Sequence, residues 1–161
     1  MPNVDILLEN RGGSQYKGGK FLIANNIDII RLSETIEINN LRLRLVLDVP
    51  QLFSSHLRSM EIAEEDIANI LQPLTVCRKY IKGLHIWGKR KNLAGKWSAH
   101  RGDLNSFFDN NVQTKNHFMS QLRELFNDDI KRYFVPEVNS NDIDLESIID
   151  DFRNIGFKFI Y

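Results

Sequence analysis

The chain lacks the cysteines that a disulfide framework or a cysteine-rich zinc site would need. Among its 161 residues there is a single cysteine, Cys77, which excludes an intramolecular disulfide and fits a reducing compartment. The sequence also lacks an apolar run near the ~20 residues of a membrane span, and it opens with no pattern typical of a signal peptide. We therefore expect a cytoplasmic protein that does not enter a membrane.

An excess of one charge is missing as well. Lys and Arg together number 21, and Asp and Glu together number 21. The chain thus lacks the overall basic bias of a dedicated nucleic-acid binder, and any basic patch must be local. Hydrophobic residues make up 42% of the chain, which at this length suffices for one packed core. We expect a single domain over residues 1–161.

Strand-like and helix-like patterns alternate along the sequence. Strands are predicted over residues 4–8, 41–49, 81–87 and 133–138, and the terminal FKFIY is a candidate fifth strand. Helices are predicted over residues 27–38, 61–71, 115–130 and 142–155, with a polar loop of about twenty-five residues after the third strand. This alternation is typical of a parallel α/β fold.

A residue that can bind a metal stands at the end of each of the four strands. These residues are Glu9, Asp48, His85 and Glu137. The carboxyl ends of parallel strands share one edge, where sites are built. Three carboxylates and an imidazole meeting there would repel one another unless a divalent cation or shared protons offset the charge. Such mixed ligands suit Mn²⁺, Mg²⁺, Co²⁺ or Zn²⁺.

Each of these residues also has an ordinary structural explanation. Glu9 can be an ordinary water-exposed residue of a loop, and Asp48, which precedes Val-Pro, can form an Asx turn. His85 lies between apolar residues and can be a core histidine bonded to a neighbour, while Glu137 can be a surface carboxylate. The argument for a metal site therefore depends on the shared strand-end position of all four.

The segments ILLENRGG, LVLDVPQLF, LHIWGK, AHRGDLNSF and PEVN, in this order, resemble the carboxyl-terminal half of the xylose-isomerase-like TIM barrels. That superfamily includes sugar isomerases, ketose 3-epimerases and AP endonucleases. The resemblance implies a partial parallel (β/α) barrel of four to five strands in which Glu9, Asp48, His85 and Glu137 bind a divalent metal. It further implies that Glu9 and Glu137 are the catalytic acid and base.

Two departures from the resembling families bear on the activity. Gln51 stands where relatives usually carry a histidine ligand, and Ser98 stands where AP endonucleases carry an aspartate. The resemblance therefore favours a one-metal isomerase or epimerase, which acts on a sugar or sugar phosphate through an enediolate, over a three-zinc nuclease. The substrate-binding residues expected for that reaction are His100, Lys89, Arg90, Lys96 and Gln51.

The barrel that this resemblance implies is incomplete. A full TIM barrel has eight strands and about 250 residues, whereas this chain of 161 residues offers four strands, or five with FKFIY. We expect either a fragment of a longer protein or a chain completed by another polypeptide, such as a second copy. An AP endonuclease-like phosphodiesterase acting on DNA and a catalytically silent half-barrel module are the alternatives to a sugar isomerase or epimerase.

Overall fold

The computed structural model describes residues 6–12, 23–56 and 62–160. In chain order, its strands are β1 (Ile6–Glu9), β2 (Leu43–Asp48), β3 (Ile81–Ile86), β4 (Lys89–Lys91), β5 (Trp97–Ala99) and β6 (Tyr133–Pro136). Its α-helices are α1 (Asn26–Ile38), α2 (Val49–His56), α3 (Glu64–Leu71), α4 (Leu104–Phe107), α5 (Val112–Leu125) and α6 (Asp142–Asn154). A 3₁₀ helix, Gln72–Tyr80, follows α3 directly.

Four strands form one parallel sheet in the spatial order β1-β2-β3-β6, and β4 and β5 form a separate antiparallel hairpin. Consecutive strands of the parallel sheet are neighbours, with helical segments in every connection between described elements. This arrangement confirms the predicted parallel α/β fold and is consistent with part of an α/β barrel.

Asparagine side chains begin three of the helices. Asn25 accepts a hydrogen bond from the backbone N–H of Asp28, whose carboxylate accepts one from Asn25 in return. Asn111 and Asn141 cap α5 and α6 in the same way, each accepting from the N–H three residues on. Each cap satisfies an amide that would otherwise lack a partner in the first turn, which explains why these helices begin where they do.

The core lies on one face of the parallel sheet. Leu45 and Leu47 of β2 and Leu84 and Ile86 of β3 are all 2% exposed or less, and they belong to one buried cluster with the helices. Because side chains alternate across a strand, the residues between them point to the opposite face. That opposite face carries the predicted metal ligands.

Several element predictions differ from the structure. The stretch after β3 was predicted to be a polar loop, but it contains the β4–β5 hairpin and α4. These elements are only three or four residues long, so no hydrophobic pattern predicted them. Helix α2 follows β2 without a break, and Pro50 lies in its first turn, where its missing N–H costs nothing. Residues 157–160 form no strand and instead pack Phe159 on Phe134.

The helix predicted over residues 115–130 begins earlier and ends sooner, at α5 (Val112–Leu125). Asn111 sets its start, and Phe126 closes it with N–H bonds to the last carbonyls. Within the described ranges, none of the helices is both long enough and apolar enough to cross a lipid bilayer.

Candidate metal centre

The strand register places the four predicted ligands on one face of the sheet. Glu9 pairs with Val46, and Asp48, two residues after Val46, pairs with His85. His85 in turn pairs with Val135, and Glu137 follows two residues later, where its N–H still bonds to the strand β3. Residues in register, and residues two apart on one strand, point to the same side. All four side chains therefore project from the carboxyl edge of the sheet on its non-core face.

Three of these side chains form a group that could hold a metal ion. Glu9, Asp48 and His85 each offer a ligand atom, and these atoms lie within 4.8 Å of one another. Nδ1 of His85 is 3.7 Å from Oε2 of Glu9 and 3.3 Å from Oε1 of Glu137, so Glu137 borders the same group. The structure thus brings Glu9, Asp48 and His85 together and places Glu137 beside His85.

Asp48 is the most buried member of the group. It is 1% exposed, and its carboxylate accepts hydrogen bonds from the indole N–H of Trp87 and the backbone N–H of Gln51. Burial raises the pKa of Asp48 to about 7, the two N–H donors oppose that rise, and the nearby charges of Glu137 and Glu9 add to it. Gln51 lies three residues after Asp48, in the first turn of α2, so this contact is that of a helix N-cap and not the Asx turn that the sequence suggested.

Asn10, which was not among the predicted site residues, forms two hydrogen bonds with the backbone of Asp48. Its side-chain amide donates to the carbonyl of Asp48 at 2.9 Å, and its side-chain oxygen accepts from the N–H of Asp48 at 2.8 Å. Asn10 is 1% exposed. This pair of bonds ties the end of β1 to the end of β2 and fixes the spacing between Glu9 and Asp48. The only sequence signal was its position directly after Glu9.

His100 reaches the site from the loop after β5. Its Nδ1 lies 3.3 Å from Oε2 of Glu137, and its ring packs on Trp87 with centroids 4.7 Å apart. The carbonyl of His100 accepts a hydrogen bond from Asn139, which follows Glu137 by two residues. His100 thus contacts the border of the metal-binding group, as a substrate-binding or supporting residue would.

The basic residues predicted to bind substrate lie along the hairpin. Lys89 is 8% exposed, with its ammonium 4.6 Å from the ring centroid of Phe107 and 5.1 Å from that of Trp97, and burial lowers its pKa. Arg90 forms a 2.8 Å ion pair with Asp144 of α6 and lines a cavity of about 450 Å³ beside the hairpin. Lys96 stands at the exposed hairpin tip.

Gln51 lies on α2, where its side-chain oxygen accepts the N–H of Gly12 at 2.8 Å. That bond links the segment after Glu9 to α2. Gln51 therefore contacts the backbone next to the site, and its own backbone N–H donates a hydrogen bond to Asp48. Ser98, the second departure from the nuclease pattern, sits in β5 opposite Arg90.

No protein-family model matches this chain, and no curated protein does so either. The fold and the side-chain geometry therefore carry the functional argument. Together they define a parallel α/β protein with a cluster of two carboxylates and an imidazole at the carboxyl edge of its sheet that could hold a divalent metal ion.

Proposed function

We propose that this chain binds a divalent cation through Glu9, Asp48, His85 and Glu137. The observation that carries the proposal is Nδ1 of His85, which is buried and has no hydrogen-bond partner among the described residues, although two carboxylate oxygens lie 3.3 and 3.7 Å away. Two ligands bound ~2.1 Å from one metal stand roughly 3.0 to 3.5 Å apart. The 3.3 Å separation between Nδ1 and Glu137 falls in that range, and the 3.7 Å separation from Glu9 lies just above it, so a small movement of Glu9 would let these atoms share a cation.

The chemistry of the donor set supports the same proposal. Carboxylate oxygens and one imidazole nitrogen suit Mn²⁺, Mg²⁺, Co²⁺ or Zn²⁺. A cation would also offset the cost of ionising Asp48, whose buried carboxyl has a pKa of about 7. One bound cation would give Nδ1 of His85 a partner, offset the repulsion between the carboxylates around it, and lower the raised pKa of Asp48.

We further propose that the reaction is a metal-dependent isomerisation or epimerisation of a sugar or sugar phosphate through an enediolate. A bound metal would polarise the sugar's carbonyl and the neighbouring hydroxyl. Glu9 and Glu137 are the more exposed carboxylates, with side chains 43% and 31% accessible, so they would accept and return the carbon-bound proton. Asp48 and His85, which are more buried, would serve as ligands alone, and His100 would contact a substrate hydroxyl or phosphate.

Titration calorimetry of the full chain with Mn²⁺ tests the metal site. We expect one binding event that is lost in Glu9→Gln and in Asp48→Asn, whereas Glu146→Gln, on the exposed side of α6, binds as the wild type does. Unchanged Mn²⁺ affinity in both variants would overturn the proposal. If the wild type binds no Mn²⁺, the catalytically silent half-barrel module is favoured instead.

Solvent exchange tests the reaction. The Mn²⁺-loaded protein is incubated in D₂O with a panel of aldoses, ketoses and their phosphates, and deuterium at carbon is followed by NMR. We expect exchange in the wild type and its loss in Glu9→Gln and Glu137→Gln. A panel without any exchange would contradict the isomerase proposal, and cleavage of an abasic-site duplex by the same preparation would assign the site to phosphodiester chemistry instead.

A further inference from the structure

Glu137 lies between two imidazoles, with one ring nitrogen near each of its carboxylate oxygens. Oε1 lies 3.3 Å from Nδ1 of His85, and Oε2 lies 3.3 Å from Nδ1 of His100. The Glu137 side chain has several rotatable bonds, so the groups beside its two oxygens select its rotamer. His85 belongs to the metal-binding group, whereas His100 lies outside it. The contact with His100 is therefore the one that can fix Glu137 without itself binding a metal.

His100 is itself fixed by its surroundings. Its backbone has a φ of 59°, in the left-handed region that non-glycine residues seldom occupy. Such a conformation costs of the order of 1 kcal/mol or more and persists only where surrounding contacts impose it. Here the Asn139 N–H bonds to the carbonyl of His100 at 2.7 Å, and Trp87 packs against the ring. The imidazole is thus brought to Glu137 by the backbone.

The packing on Trp87 joins His100 to the other side of the site. The indole N–H of Trp87 donates to Asp48 at 3.1 Å, so the ring that supports His100 also orients a buried carboxylate of the metal-binding group. Two carboxylates, Glu137 and Asp48, are therefore each contacted by one member of this tilted pair of rings. Contacts of this kind set the direction of metal ligands and their affinity.

We propose that His100 is a positioning residue that turns Oε1 of Glu137 toward the cation at His85. This inference rests on the proposed metal site. When the His100 imidazole is removed, Glu137 can adopt other rotamers. The cation then keeps Glu9, Asp48 and His85 as ligands, and either loses Glu137 or binds it in another geometry. The loss of an outer contact to a ligand typically weakens metal affinity by about tenfold or more.

The Co²⁺ form of the full chain tests this role, because the position and intensity of its visible bands report the number and arrangement of ligands. Three substitutions are compared with the wild type. His100→Gly removes the imidazole and accepts the positive φ without strain. His100→Asn also tolerates that backbone, and its amide nitrogen stands two bonds from Cβ, as Nδ1 of His100 does, so it can restore an N–H donor toward Glu137. His100→Gln carries its amide one bond further from Cβ, where it matches Nε2 rather than Nδ1. Arg101→Ala, an exposed neighbour, is the matched control.

We expect His100→Gly and His100→Gln to bind Co²⁺ about tenfold more weakly with a changed visible spectrum, His100→Asn to recover part of both, and Arg101→Ala to match the wild type. A wild-type spectrum in the glycine and glutamine variants would overturn the positioning role and leave the metal site standing. If the wild type binds no Co²⁺, the proposed metal site and this inference fail together.

Discussion

The indole N–H of Trp87 donates a hydrogen bond to Oδ1 of Asp48 at 3.1 Å, and both side chains are buried. Trp87 follows β3 and Asp48 ends β2, so the bond links the ends of adjacent strands. The donor lowers the pKa of Asp48 against the larger, opposite effect of burial. Trp87 therefore favours the ionised carboxylate that a cation requires.

Replacing Trp87 by Phe should weaken Mn²⁺ binding about tenfold. Phe keeps much of the packing against Phe107 but removes the donor, and a hydrogen bond to a charged group contributes ~1.5 to 3 kcal/mol. Calorimetric titration at fixed pH measures the change. Trp97→Phe on the hairpin is the control, since Trp97 packs on lysine side chains of β4. Equal losses in both variants would assign the effect to general destabilisation.

The metal-free protein should lose stability through Asp48 as pH rises. Its pKa is 3.8 in a solvated chain and about 7 when folded, so between these values the folded state holds a proton that the unfolded state has released. The contribution to stability is full below pH 4 and lost by pH 7, and the loss from pH 5 to 7 is at most about 3 kcal/mol.

His56 acts in the opposite direction. Its Nε2 accepts the N–H of Asn26, and burial lowers its pKa from 6.5, so stability from this residue falls as pH drops below 6.5. Both the wild type and Asp48→Asn contain His56, so its pH-dependent contribution cancels when their free energies of unfolding in urea are compared. The wild type should become less stable relative to the variant from pH 5 to 8. A constant difference would show that Asp48 ionises normally.

Phe152→Ala should destabilise the chain by about 3 to 5 kcal/mol. Phe152 of α6 is fully buried, and its ring packs on Phe134 of β6 and on Phe157, with centroids 4.6 and 5.4 Å apart. Ile143→Ala on the same helix is 76% exposed and should change the free energy of unfolding by less than about 0.5 kcal/mol. Similar effects in both variants, measured by urea unfolding, would contradict the packing described for β6.

Gly88→Ala should disturb the site through crowding. A Cβ at Gly88 would overlap the backbone of Gly102 and Asp103, where no flexible side chain can yield. The loop that carries His100 must then shift, at a cost of about 1 to 3 kcal/mol and with weaker Mn²⁺ binding. Gly95→Ala is the control, because its φ of 74° adds backbone strain while no atom lies within 4 Å of the new Cβ. Wild-type Mn²⁺ affinity in Gly88→Ala would refute the close packing.

Periodicity and strand-end chemistry could predict the sheet and the convergence of its ligands. Parallel strands necessarily bring their carboxyl ends to one edge, so Glu9, Asp48 and His85 could be placed together without coordinates. The register that puts them on the same face, including the irregularity between Leu45 and Val46, could not be derived, because it depends on packing between strands far apart in sequence.

The supporting contacts escaped prediction for a different reason. Asn10 and Trp87 act through hydrogen bonds that span 38 and 39 residues of sequence, and such bonds leave no periodic signal. The hairpin and α4 were hidden because they are short and polar, so neither alternation nor a helical apolar stripe distinguishes them from a loop. His100 could be selected from its loop motif, but its left-handed backbone and its contact with Glu137 could not.

Anomalous diffraction from a crystal soaked in Mn²⁺ tests the central claim most directly, since it locates the cation without reference to activity. We expect one strong peak about 2.0 to 2.3 Å from a carboxylate oxygen of Glu9, one of Asp48 and a ring nitrogen of His85. A peak confined to exposed carboxylates such as Asp150, or no peak at the carboxyl edge of the sheet, would contradict it.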